Sequence, residues 1–437
     1  MLDIKFILEN QELMKQNIAN RNMSADVDAL ISSYEKVKSL RGAVDDKRAE
    51  GNENAAKMKS ATPEKRPALI EQGKQIKQDV ADLNEKLQAE EEVFNAHMMT
   101  IPNIHADDIP VGKTDKENTQ IKIVGEKPDF GFEPKDHLDL MRDLDLIDFE
   151  SGAKVAGSKF YFLKNEAVLL DLALTRYAFD MAIKKGYTPL MTPDLARESV
   201  LEGIGFNPRG DESQIYKIDG MDLGLIATSE ITVGGMLADQ ILSEEELPLK
   251  FVAFSHCFRR EAGSAGQESK GFYRVHQFSK IELFQFTHPS MSHAAHEEIR
   301  ELEEEIFESL GICFRTVDIC TGDLGASAYK KYDLEAWMPG KQNDNGEMGD
   351  FGEITSTSNC LDFQSRRLKI RFKDKETGKN EFVHTLNGTA IALSRGPIAL
   401  IEQYQQADGS VLIPEALRPY TGFDRIEVKK DKKKNAA

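Results

Sequence analysis

The chain has 437 residues, 40% of them hydrophobic, 8% aromatic and 30% charged, with a formal net charge of −18. That length fits two or three domains and that apolar content can fill a sizeable core, which excludes disorder throughout. The acidic balance argues against indiscriminate nucleic-acid binding through overall charge, and no apolar run reaches the roughly 20 residues of a membrane span.

The N-terminal MLDIKFILENQELMK interrupts its apolar residues with charges, unlike a secretory leader. Cys257, Cys313, Cys320 and Cys360 contain no CxxC pair, so reduced thiols are expected rather than a disulfide framework or a zinc ribbon. A cytoplasmic protein without zinc, membrane or DNA partner is the expectation.

After Ser24, a candidate N-cap, apolar residues recur at Val27, Leu30, Tyr34, Val37 and Val44, with Leu40 nearby. A second stripe runs through Leu69, Ile76, Val80, Leu83, Leu87 and Phe94. Between them SATPEKRP carries Pro63 and Pro67, residues that suit the first turn of a helix and break its interior. The spacing predicts an antiparallel helical hairpin over about 27–99, with limbs of roughly 50 Å at about 1.5 Å per residue. Two uses stay open, a dimerising coiled coil and a nucleic-acid arm. From Lys36 to Lys77 there are eleven Lys and Arg against six Asp and Glu, a local excess of positive charge that a solvated helix face would also explain.

Thr100 to Asn118 breaks the period with two prolines and reads as a linker. Beyond it the pattern is mixed: helices over Asn165–Lys185 and Met291–Leu310, and strands around Phe251–Arg259 and Tyr273–Phe286. The intervening Glu261–Gly271 is small and polar and suits a mobile hairpin connection over a ligand.

No GxxxxGK[ST], strand-linked GxGxxG or HExxH signature is present, so a nucleotide site must be built otherwise. Three segments are candidates. In CFRREAG, strand alternation would send Arg259 and Glu261 to one face and Arg260 to the other, where an arginine fork suits a phosphate and a carboxylate can accept from an adenine amino group. In GDFGEITSTSN, Glu353 and Ser356 offer hard oxygen ligands for Mg²⁺, or form no more than a turn or reversed capping box; the residues are too small and polar for a core strand. In HTLNGTAIALSRGPIALIEQYQ a strand leads through small residues into a helix, with Arg395 at the junction.

Together these segments resemble the signature motifs of class II aminoacyl-tRNA synthetases, and nearly the whole chain resembles the seryl-tRNA synthetases of bacterial and eukaryotic type. GYTPLMTPDL, with Pro193, is similar to motif 1; FRRE and RVHQFSKIELFQF to motif 2; NGTAIALSR to motif 3; and ATSE, Ala227 to Glu230, to the family's serine-pocket segment. The resemblance implies an α+β fold, an antiparallel sheet of six to eight strands flanked by helices, with the hairpin arm at its N-terminal side. It implies residues 1–105 as a tRNA-binding domain, 106–425 as the catalytic domain, and 426–437 as a basic tail.

By the same resemblance Arg259 and Arg395 are catalytic, on the α- and γ-phosphates of ATP. Arg260, Glu261, Arg274, Val275, Phe278, Glu353, Ile354, Thr355 and Ser356 complete the ATP site, with Phe278 stacked on adenine and Glu353 and Ser356 on Mg²⁺. Thr228, Ser229, Glu230, Arg259, Glu282 and Thr389 hold L-serine. Thr389 stands where many members have serine, and Ala390, Ala392 and Ser394 replace some of the usual motif 3 glycines. His256, His276 and His384 are scaffold residues, since adenylate formation needs positioning and charge neutralisation more than a protein base.

The implied activity is serine–tRNA ligation by a homodimer with ATP and Mg²⁺, acting on tRNA(Ser) and also on tRNA(Sec) where one exists. Transfer to a carrier-protein thiol and a non-catalytic RNA-binding scaffold are the competing readings. The hairpin opposes the first, and the retention of Arg259, Glu261, Glu353 and Arg395 opposes the second.

Overall fold

The computed structural model describes residues 1–206, 213–261 and 271–429. The expected loop between Glu261 and Gly271 and most of the basic tail therefore lie outside the described residues. Two compact units divide the chain, Met1–Ile104 and His105–Ala437.

In the first unit, short helices Ile4–Glu9 and Gln11–Asn20 precede the two long ones, Val27–Ser60 and Arg66–Thr100. The first long helix is capped by Asp26, whose side chain accepts from the Ala29 N–H, and not by Ser24 as the sequence suggested. Pro67 lies in the first turn of the second helix, where no intrahelical donor is lost. The limbs are antiparallel: Tyr34 meets Phe94 at 5.8 Å between ring centres, and Asn54 Nδ2 donates to the Leu69 carbonyl at 2.9 Å. Leu30, Val37, Val44 and Ile76 are buried along the seam, and the helix of the second limb runs one residue past the expected end, through Thr100.

The second unit is built on one eight-stranded sheet: β1 (Thr119–Val124), β2 (Thr188–Met191), β3 (Leu249–Phe258), β4 (Gln277–Thr287), β5 (Phe314–Asp318), β6 (Lys330–Gln342), β7 (Met348–Asn359) and β8 (His384–Ala392). The order is β1-β5-β6-β7-β8-β4-β3-β2. All neighbours are antiparallel except β2, which follows helix Glu166–Lys184 in the chain and pairs with β3 in parallel. The segment expected to be too polar for a core strand, Met348–Asn359, is thus a central one; Ser356 and Ser358 face a cavity, while the Thr355 side chain turns to the opposite face.

Helix Ser292–Ser309 packs on the back of β7, β8 and β4. Ile299, Leu302, Ile306 and Phe307 meet Leu283, Phe314, Leu334 and Leu386 in the main core. The helix comes so close that a Cβ on Gly388 of β8 would lie 2.3 Å from Ile299 Cγ2 and 2.5 Å from Glu303 Oε1, so only glycine fits there. This contact fixes the height of β8, and with it the neighbouring Asn387 and Thr389. A second core, with Leu201, Ile204, Ile226, Ile231, Phe284 and Phe372, supports the Ala227–Glu230 segment from below.

Candidate active site

The front of β4, β7 and β8 floors a cavity of about 200 Å³, also lined by Thr228, Glu230, Arg259, Glu261 and Arg395. Two irregularities in the sheet shape it. Between β6 and β7, Asp333 pairs with Ser356 and Glu335 with Glu353, so β7 carries one extra residue. Residues three apart in a strand ordinarily point to opposite faces; the bulge brings Glu353 and Ser356 to the same one. A matching shift between β8 and β4 pairs Thr389 with Glu282 and Ala392 with Lys280, putting Thr389 and Ala392 on one face despite their odd spacing.

At one end of the cavity Arg259 follows the end of β3, its N–H bonded to the His276 carbonyl at 3.0 Å, and its guanidinium lies 5.2 Å from the centre of the Phe278 ring. Glu261 sits at φ +51°, outside strand geometry, yet reaches the same cavity and accepts from Arg274 Nη1 at 2.9 Å. Arg260 does not line the cavity; its N–H donates to the Gln214 carbonyl. At the β8-to-helix junction, Arg395 precedes helix Gly396–Gln403, lies over Tyr273 at 4.7 Å and pairs with Glu353 Oε1 at 2.7 Å. Tyr273 in turn donates its hydroxyl to the Glu353 carbonyl at 2.8 Å. Burial works against the Glu353 carboxylate, but Arg395, Lys331 and Arg259 outweigh it and hold the group below its ordinary pKa.

Behind Glu353 and Ser356 stands Asp333, buried, with Lys331 at 3.8 Å and an Oδ1 that has no hydrogen-bond partner among the described residues. Burial pushes its pKa up to about 7. Two carboxyls and a hydroxyl on adjoining strands, one oxygen unsatisfied, form a donor set of the hard type that suits Mg²⁺. Thr355 points the other way and donates to Glu303 on the back helix at 3.0 Å.

At the other end, Thr228 caps helix Ser229–Met236 by accepting from the Glu230 N–H. Ser229 is fully buried away from the cavity, its hydroxyl 3.4 Å from the Ala253 carbonyl. The two pocket carboxyls are held differently. Glu282 accepts from Asn387 at 3.1 Å, from Thr389 at 3.1 Å and from Lys280 at 2.6 Å. Glu230 accepts from Gln364 at 2.7 Å, and its pKa is pushed up to about 7 by burial and by the nearby Glu282. Gln364 is itself locked, donating also to the Ile204 carbonyl and accepting from Thr385.

Of the residues expected from sequence, all but Arg260 and Ser229 line this cavity. Sequence reasoning missed Tyr273, Lys280 and Asn387 on its wall and Gln364 behind it. Lys280 was within reach, because Phe278, Lys280 and Glu282 alternate on one strand face.

Comparison with known proteins decides the family. Residues 1–105 match the seryl-tRNA synthetase N-terminal domain, and residues 216–404 the tRNA synthetase class II core domain (G, H, P, S and T). The serine–tRNA ligase of Treponema denticola is 56% identical over 98% of this chain and 100% of its own. The chain belongs to the seryl-tRNA synthetase family. Its fold matches the seryl-tRNA synthetase of Pyrococcus horikoshii complexed with ATP, with a TM-score of 0.87 and 39% identity over 98% of this chain and all of that one. A cytoplasmic serine–tRNA ligase from Naegleria fowleri in complex with AMP matches at 0.82 and 32% identity, over 96% of each chain. Membership also answers the competing readings left open by the sequence, since both the arm and the catalytic core match in this one family.

Proposed function

We propose that this chain activates L-serine with ATP and then esterifies the terminal ribose of tRNA(Ser), and that the cavity on β4, β7 and β8 carries the first step. The observation that supports this most is the joining, in one cavity, of an arginine-and-aromatic end with a carboxyl-lined end. Arg259, Glu261 and Phe278 suit a nucleotide; Glu230, Glu282, Asn387 and Thr389 suit a small hydroxylated amino acid.

In this reading adenine stacks on Phe278 opposite Arg395, beside the Arg274 and Val275 backbone and that of Ile354 and Thr355, and Glu261 reads its amino group. A serine carboxylate oxygen forms a bond to the α-phosphorus, the bond to the bridging oxygen breaks, and pyrophosphate leaves with the electron pair. Arg259 offsets the charge that builds on the α-phosphate, and Arg395 holds the γ-phosphate. Glu353 and Ser356 would hold Mg²⁺, which supplies charge neutralisation on the phosphates. The serine ammonium meets Thr228 and Glu230, and its hydroxyl meets Glu282 and Thr389. Alanine and glycine leave those groups unpaired, which is the basis of their rejection.

The arm grips tRNA by shape and backbone contacts, and tRNA(Sec) is a second acceptor where one exists. The enzyme works in the cytoplasm as a homodimer. Exposed Val168, Leu169 and Leu172 on helix Glu166–Lys184 and Met191 on β2 support the dimer, since a soluble monomer rarely displays such a group. Residues 1–105 serve as the tRNA-binding domain, 106–425 as the catalytic domain and 426–437 as a basic tail.

The test is exchange of labelled pyrophosphate into ATP with serine, alanine, threonine, glycine and cysteine, followed by charging of total tRNA. Exchange and charging with serine alone are expected. Exchange without charging would redirect the reading to another acyl acceptor, and no exchange with any amino acid would sink it.

A further inference from the structure

We propose that Lys280 is a second catalytic cation beside Arg259, donating to an oxygen of the α-phosphate as the serine carboxylate attacks it. The inference rests on the adenylate-forming reading above and adds a residue to it.

Its place along β4 is the first argument. Phe278, Lys280 and Glu282 occupy alternate positions on one strand face, so Lys280 stands about 7 Å from each at roughly 3.4 Å per residue. If adenine lies at Phe278 and the serine side chain at Glu282, the atoms that react lie between them, over Lys280. Its neighbours across the sheet are small, Ser255 on β3 and Ala392 on β8, the latter brought opposite by the bulge. They leave the space above Lys280 clear, and the residue lines the cavity although its side chain is only 8% exposed.

The second argument is hydrogen-bond capacity. An ammonium has three donors, and among the described residues Lys280 Nζ uses one, on Glu282 Oε2 at 2.6 Å. Glu282 does not depend on it for a partner, since Asn387 and Thr389 already donate to its two oxygens. A lysine taken out of water for one bond to an already bonded carboxylate is a poor exchange for stability, and an apolar residue of similar volume is often neutral or better. Two unused donors at the midpoint of the cavity are accounted for by an anion arriving there with the substrate.

The third argument is electrostatic reach. Lys280 and Arg259 line the same cavity, and both favour the charged form of the buried Glu230. Attack of a carboxylate on a phosphate brings two anions together, and preorganised cations in a largely buried site counter that repulsion without reorganising.

The test is pyrophosphate exchange by the full-length K280M, K280R and K280Q proteins, with kcat and the KM of serine and of ATP measured separately. The K280M variant is expected to lose about 100-fold or more in kcat, the size typical of removing one transition-state donor. Both KM values should stay within about threefold, and K280R should recover to within about tenfold of wild type because a guanidinium still reaches a phosphate oxygen. A large rise in the KM for serine with kcat unchanged would reduce Lys280 to a prop for Glu282 and overturn the proposal, as would wild-type kinetics. If the melting curve shows K280M to be unfolded, K280Q decides, since it keeps a donor toward Glu282 without the charge. A similar loss in kcat supports the catalytic role and an unchanged kcat overturns it. Absence of serine-dependent exchange in the wild type itself would instead mark failure of the functional reading.

Discussion

The arm and the active site are built from opposite kinds of regularity. In the hairpin one apolar period runs along each limb, from Val27 to Val44 and from Leu69 to Phe94, and every residue of the two apolar stripes is at least partly buried at the seam. Beside the cavity, the sheet's period of two is broken at β7 and at β8, and each of these breaks moves site residues onto the cavity face. Regular repetition makes a stiff element out of local information. Irregularity makes a site, and depends on partners far away in sequence.

The sharpest way to break the comparison is to remove one side chain from the irregular region. Replacing Arg259 with alanine leaves the arm untouched but takes a fork from the phosphate end of the cavity. Serine-dependent pyrophosphate exchange should fall by about 10³-fold, near the upper limit for a single transition-state donor, with an unchanged melting curve. Retained exchange would remove Arg259 from the reacting atoms. The complementary experiment deletes Val27 to Met99 and closes the gap with a short linker. Exchange should stay within a few fold of wild type, because every cavity residue belongs to the second unit. Charging of tRNA should drop by about 100-fold or more, the scale on which a second binding site raises affinity. Equal charging without the arm would end its assignment to tRNA.

This division also explains what could be read from the chain. The hairpin, its turn at Pro63 and Pro67, and the helices Glu166–Lys184 and Ser292–Ser309 follow from periodicity within a residue or two of their ends. Ser24, the cap expected from sequence, and Asp26 both carry a side-chain oxygen able to cap a helix, and only the backbone decides that Asp26 meets the Ala29 N–H. For the site, the motif resemblance supplied residues that periodicity does not. Nothing in GDFGEITSTSN shows that Glu353 and Ser356 share a face, because the bulge is a property of the pairing with β6. Nor could Gln364 be found from sequence, since it reaches Glu230 from 134 positions away.

A smaller effect sharpens the comparison from inside the pocket. Burial and Glu282 raise the Glu230 pKa from the ordinary 4.5 to about 7, so the folded state binds a proton more tightly than the unfolded one. The stability this gives is complete below about pH 4.5 and is lost as pH rises through 7. A shift of that size corresponds to at most about 3 kcal/mol. Glu230→Gln keeps an oxygen for Gln364 and removes the titration, so the variant should gain in melting temperature over wild type as pH is raised from 5 to 8. Asp171 and Asp333, also pushed up to about 7, titrate in both proteins and cancel in the difference. The same variant should lose serine-dependent exchange, having given up the group assigned to the ammonium. A pH-independent difference between the two proteins would show that Glu230 is not the buried acid described.

The smallest expected effect belongs to the arm. Arg41 and Glu91 join the two limbs at 2.6 Å, but their side chains are 60% and 36% exposed. An exposed pair gains little Coulomb energy in water, restrains two long side chains and is screened by salt, so Arg41→Ala should cost no more than about 1 kcal/mol of arm stability. Val44→Ala, in the buried seam, should cost more by removing apolar contact, although without needing an unsatisfied polar group to do so. Thermal melts of the two variants at low and high salt separate these origins. The Arg41 difference should shrink with salt and the Val44 difference should not. If Arg41→Ala proved the more damaging, the arm would be held by its charges rather than by its apolar period, and the contrast between a repetitive arm and an irregular site would lose its physical basis.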